Sequence, residues 1–141
     1  MIRMVSKIDK LMLDTCILRD RPFVYWLSGH SRGKLCISAI TYAEQMRQLL
    51  ANNKSVEKFN ELLDRCHITV VPFTKQSADT AARLMAESPN VCEMCQNFNW
   101  ADTMIYSTLG NPPALLVTNN VKDYPNENRV FTPEEIRNLL K

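Results

Sequence analysis

The nine residues KLMLDTCIL, positions 10–18, set one acid inside an otherwise apolar run. Leu11, Met12 and Leu13 read as a short strand sunk in a core, and Cys16, Ile17 and Leu18 resume the apolar character beyond Asp14. A strand apolar on every residue belongs in a parallel sheet covered on both faces. Asp14 then stands at the carboxyl end of that strand, where open α/β sheets place their binding crevices. A carboxylate in such surroundings is costly unless something pairs with it, so its partners decide what the site does.

The pattern recurs along the chain. Short runs rich in Val, Ile and Leu fall at 10–14, 35–38, 68–72, 114–117 and 129–131, too short for helices and fitting strands. Helical patterns separate most of them. One starts near Asp20, with Pro22 suited to a first turn, and runs through FVYWL to Gly29. A second is expected to begin at Thr41, where Thr41 and Glu44 have the spacing of a capping box. Ser55, Thr74 and Thr132 head three more, and Asn97 or Asn99 heads the helix through Trp100 to Leu109, stopped by Gly110. Strands alternating with helices predict a three-layer α/β/α fold around a central, mainly parallel sheet, as a single domain over residues 1–141.

Composition narrows the function. The formal charge is only +2, from 17 basic and 15 acidic residues, so affinity for a polyanion must come from local patches. Arg19, Arg21, Arg32, Lys34 and Arg47 supply a candidate patch in the first third, although a solvated face is the commoner fate of such charges. Phe23, Tyr25 and Trp26 read as a helix face for the core or an interface. The N-terminus lacks a long apolar segment and no stretch approaches the roughly 20 apolar residues of a membrane span, so a soluble, cytoplasmic protein is expected. Five cysteines are an odd number, and no disulfide framework is expected. Cys92 and Cys95 form one CxxC without a second pair, and with His30 and His67 in distant segments they lack the four ligands of structural zinc.

Three further boundaries carry polar groups toward the Asp14 end. Glu44 lies in the first turn after the strand LCIS, Asp102 in the first turn of WADTMIYSTL, and Thr118-Asn-Asn120-Val-Lys-Asp123-Tyr124 follows the strand ALLV. Each acid has an ordinary explanation by itself: a turn for Asp14, a cap for Glu44, the helix dipole for Asp102. Gathered together they would repel one another, and would take up a proton or bind a hard cation such as Mg²⁺ or Mn²⁺.

The ordered set LMLDT, ISAITYAEQ, WADTMIYSTL and LVTNNVKDY resembles the PIN-domain ribonucleases, most closely the VapC-like toxins of prokaryotic toxin–antitoxin pairs, over nearly the whole chain. The resemblance implies an Mg²⁺- or Mn²⁺-dependent endoribonuclease acting on tRNA or other structured RNA, a homodimer, and a cognate antitoxin that blocks the cleft. Asp14, Glu44 and Asp102 match the family's metal-holding acids. Asn120 stands where many relatives have Asp, and Asp123 matches a further acid of that loop; either or both would complete the site. The hydroxyls of Thr15 and Thr118 are candidates to orient carboxylates or waters, with Ser38 and Thr103 weaker ones. Three features depart from the family pattern: Cys16 in place of a polar residue, the segment CEMCQNFNW before Asp102, and a longer start. Two alternatives stand beside the nuclease. One is a catalytically weakened binding module acting through its partner complex. The other, an aspartyl-nucleophile phosphotransferase, is disfavoured because Cys16 stands where its second acid belongs.

Overall fold

The computed structural model describes residues 10–31, 34–87, 100–110, 114–124 and 127–140. In chain order the elements are β1 (Leu11–Leu13), α1 (Thr15–Leu18), α2 (Arg21–His30), β2 (Leu35–Ser38), α3 (Ala39–Ala51), α4 (Val56–Arg65), β3 (Thr69–Val71), α5 (Lys75–Ala86), α6 (Trp100–Ser107), β4 (Leu115–Val117), β5 (Val130–Phe131) and α7 (Pro133–Leu140). Short 3-10 turns at Val121–Asp123 and Glu127–Arg129 link β4 to β5. Every strand falls inside one of the apolar runs of the sequence.

The sheet order is β3-β2-β1-β4-β5 and every pairing is parallel. Leu11 pairs with Leu35 on one side and Leu115 on the other, which puts β1 in the middle. From β1 the chain steps outward through β2 and β3, then returns to lay β4 against the other side of β1. The winding reverses between β1 and β4, and the crevice of such sheets opens there, at their carboxyl ends.

Alternation along the strands builds a core on each face. Leu11, Leu13, Leu35, Ile37, Leu115 and Val117 pack with Ile17, Phe23, Leu27, Phe59, Leu62 and Ile136, so α1, α2, α4 and α7 cover one face. Met12, Cys36 and Leu116 face the other way, toward Leu84 of α5 and Ile105 and Tyr106 of α6. This is the three-layer sandwich that the apolar runs demanded. Trp26 is half-buried at the edge of the first layer, where the Arg137 guanidinium of α7 lies 4.7 Å from its ring centre.

The caps follow the sequence at four helices. The side chain of Asp20 accepts from Phe23 N–H, that of Ser55 from Lys58 N–H, Thr74 and Ser77 cap each other, and Thr132 and Glu135 form a capping box. Asn97, Asn99, Cys92 and Cys95 lie outside the described residues. Gly110 follows α6 with φ +80°, a left-handed turn that glycine adopts without steric cost.

Two elements differ from expectation. Thr15–Leu18 forms one turn of helix, α1, because Asp14 itself caps it, accepting from Ile17 N–H at 3.3 Å. The capping box of Thr41 and Glu44 does not form. Ser38, the last residue of β2, accepts from Ile40 N–H, and α3 starts directly from the strand. Thr41 is thereby carried inside the first turn, where its hydroxyl is buried with no partner among the described residues. Ser38→Ala should therefore cost about 1 kcal/mol in urea unfolding. Thr41→Val should be neutral or raise stability by up to about 1 kcal/mol, since it removes a buried unpaired hydroxyl. Equal losses at both positions would restore the Thr41 cap. Among the described residues, no helix is long and apolar enough to cross a membrane.

Candidate active site

Asp14 is 6% exposed, and both of its oxygens are occupied. Oδ1 accepts from the Cys16 thiol at 2.8 Å and from Ile17 N–H; Oδ2 accepts from the Tyr124 hydroxyl at 3.2 Å and from the Thr118 hydroxyl. Thr118 is fully buried, and its oxygen also accepts from Asn120 N–H at 3.1 Å. The backbone N–H of Asp14 donates to Val117 O at 3.2 Å. These contacts stitch the loop after β1 to the loop after β4, so one carboxylate organises both lips of the crevice.

The other acids arrive from three elements. Glu44 projects from α3, exposed, and its Oε1 accepts from the Thr15 hydroxyl at 2.7 Å. Asp102 stands half-buried in the first turn of α6. Its carboxyl is pushed up to about 6, by burial first and then by the charges of Asp123, Asp14 and Glu44. A first helical turn would by itself favour the charged form. Burial and the neighbouring acids outweigh that preference, a direct electrostatic sign that the four carboxyls share one region. Burial and then Asp14 also push the Cys16 thiol up to about 11 and drive the Tyr124 phenol well above its ordinary range. Both therefore stay protonated at neutral pH and keep donating to Asp14.

Asp14, Glu44, Asp102, Asn120 and Tyr124 line one concavity of about 500 Å³, with Arg19 and Arg47 also on its wall. Asp123 acts on Asp102 through space and is not part of that lining. Ser38 serves as the α3 cap, and Thr103 donates to the Met85 sulfur, which gives both weaker candidates a structural task. Lys34 precedes β2, at the end of the sheet opposite Asp14, and Arg32 lies outside the described residues. Reasoning from sequence missed Tyr124 as an Asp14 partner, though its position beside Asp123 in the loop after β4 was a usable signal.

Among the described residues, no three Asp, Glu, His or Cys side chains stand as a ready-made cation cage. The donor set nonetheless fits a hard divalent ion: three carboxylates lining one concavity, all-oxygen, with a repulsion that a cation would relieve.

A family model for the PIN domain matches residues 11–120. Three solved structures share the fold. DNA-bound VapBC from Salmonella typhimurium is 23% identical, with 87% of this chain and 96% of that one covered, at a TM-score of 0.61. A toxin–antitoxin complex from Klebsiella pneumoniae is 21% identical over 88% and 98%, at 0.60. VapBC2 from Rickettsia felis, bound to a DNA fragment from its promoter, is 23% identical over 86% and 96%, at 0.64. No curated protein matches the sequence.

Proposed function

The chain belongs to the PIN domain family, and from that premise we propose that it is a toxin of the VapC type, an Mg²⁺- or Mn²⁺-dependent endoribonuclease acting in the cytoplasm on tRNA or other structured RNA. The observation that carries this reading is the convergence of Asp14, Glu44 and Asp102 on one concavity at the reversal of the sheet, with Asp102 raised by burial and then by its neighbours. Bound by those three carboxylates, a divalent ion would acidify a water and offset charge on the departing oxygen of a phosphodiester.

The chain's own residues supply position. Asp14 is immobilised by four donors and cannot swing out of the site. Thr15 holds Glu44 toward α1. Asn120 lines the concavity, and the charge of Asp123 acts on Asp102. Arg19 and Arg47 offer cations for the phosphates of the strand being cut. A cognate antitoxin and a homodimer complete the proposal. The structural neighbours that are VapBC or toxin–antitoxin complexes support the antitoxin, and an arginine from it would pair well with the acids.

One observation favours the binding-module reading: the acceptor positions of Asp14 are already filled by protein donors, which weakens its hold on an ion. A single assay separates the two. Purified protein incubated with structured RNA should cut it in Mg²⁺ or Mn²⁺, not in EDTA, and the product of the neighbouring gene should suppress cutting. RNA left intact in both metals by a protein that still binds that neighbour would replace the nuclease with the binding module.

A further inference from the structure

A second concavity, of about 420 Å³, adjoins the acid-lined one and shares Arg19 and Gln48 with it. Its charged lining is entirely basic: Arg19, Arg21 and Lys54. The three come from separate elements, the end of α1, the start of α2 and the turn after α3. Arg19 is held by a hydrogen bond from its guanidinium to the Gln48 side-chain oxygen, which fixes it between the two concavities. Arg21 and Lys54 are exposed and have no acidic partner among the described residues.

Gln45 also lines this pocket. It is only 7% exposed, yet its Oε1 has no hydrogen-bond partner among the described residues. A buried carbonyl oxygen without a donor is costly, and an occupant of the pocket that brings a hydroxyl would supply the missing donor. A third concavity continues the line, shares Arg21, and adds Lys58 and Arg65 beside the exposed ring of Tyr25; Glu61 is the acid in its lining.

We propose that this central basic pocket seats a ribose-phosphate unit of the RNA strand leaving the acid-lined concavity, with Arg19, Arg21 and Lys54 on the phosphate and the Gln45 side chain turning its buried Oε1 outward to accept from the 2′-hydroxyl. The inference rests on the reading of the acid-lined concavity as an RNA-cutting site and adds where the flanking strand runs. The cations supply affinity without regard to sequence, and the orphaned acceptor supplies the choice of RNA over DNA. Tyr25, at the far end of the track, offers a face on which a base can stack.

The test is binding of fluorescein-labelled oligouridylate and its 2′-deoxy counterpart by the metal-free full chain in EDTA, followed by anisotropy over a salt series. Binding without metal does not depend on cleavage, so its failure is separable from failure of the nuclease reading. Arg21→Ala with Lys54→Ala should weaken oligouridylate binding by about tenfold or more and reduce the slope of log affinity against log salt by about 1.4, since each phosphate contact in a single strand accounts for about 0.7. Both side chains are exposed, so the variant keeps its fold. Gln45→Met should lower affinity for the ribo-oligomer several-fold, leave the deoxy-oligomer unchanged and leave the salt slope unchanged. An unaltered affinity and slope in the double variant would overturn the pocket. So would a double variant that binds RNA normally and loses affinity for polyglutamate, which would make the surface a protein-docking site. Equal effects of Gln45→Met on both oligomers would overturn the assignment of the 2′-hydroxyl.

Discussion

Asp102→Asn is expected to reduce metal-dependent RNA cleavage by roughly 10²–10⁴-fold, the several kcal/mol that charge stabilisation by a bound ion contributes to a barrier, while making the metal-free protein more stable. The second half follows from the raised carboxyl. Asp102 titrates near its ordinary 3.8 in the unfolded chain and near 6 in the folded one, so the folded state favours its protonated form. That contribution is fully present below about pH 4 and is lost as pH rises through about 6. Asparagine does not titrate, so the variant escapes the loss. The difference should open between about pH 4 and 6 and persist above it, at ~1 kcal/mol for a half-exposed group screened by solvent, or about 3 °C in Tm. Mn²⁺ reverses the order: at about 100-fold above its Kd it should stabilise the parent by about 2.7 kcal/mol and the variant much less. A variant that cuts RNA as fast as the parent, or that is less stable without metal at neutral pH, would remove Asp102 from the metal-holding set.

The opposing needs of that carboxyl also explain what the sequence disclosed. The strands were legible because each is an uninterrupted apolar run, and only a sheet covered on both faces buries such a run. Asp14 stood out for the same reason, as one acid amid residues that had to be buried. The start of α3 was not legible: Ser38 and Thr41 are both good caps, and the choice depends on whether β2 passes straight into helix, which tertiary packing decides. The one-turn α1 was hidden because four residues carry no periodicity. The closure over Asp14 was half visible, since Thr118 lay in a recognisable motif. Tyr124 reaches the carboxylate across 110 residues of chain, and only the pairing of β1 with β4 brings it there. The basic patch shows the same division. Arg19 and Arg21 were two positions apart in sequence, Lys34 was grouped with them and lies at the far end of the sheet, and Lys54 joined through the turn after α3.

Asp14→Asn should reduce cleavage as strongly as Asp102→Asn does, yet shift stability the other way, downward by about 1–3 kcal/mol. The two acids are built differently. Asp102 is raised by burial and by its neighbours, whereas Asp14 accepts from four donors, two at each oxygen. An amide accepts at one end only. If the amide oxygen faces Thr118 and Tyr124, the NH₂ meets the Ile17 backbone N–H, a donor that cannot turn away. If it faces Ile17, the NH₂ meets two hydroxyls, and the Thr118 oxygen already accepts from Asn120 N–H, so its own proton loses a buried acceptor. Some repulsion is relieved as well, but Asp14 ranks behind burial and Asp123 among the causes that raise Asp102, so the gain is the smaller effect. A double-mutant cycle with Thr118→Val isolates the contact. Each change removes the same hydrogen bond, so the pair together should cost less than the sum of the singles, with a coupling of about 1 kcal/mol or more. Additive losses, or an Asp14→Asn protein as stable as the parent, would mean that the carboxylate is not held by the donors that surround it, and the rigid placement on which the proposed chemistry depends would be lost with it.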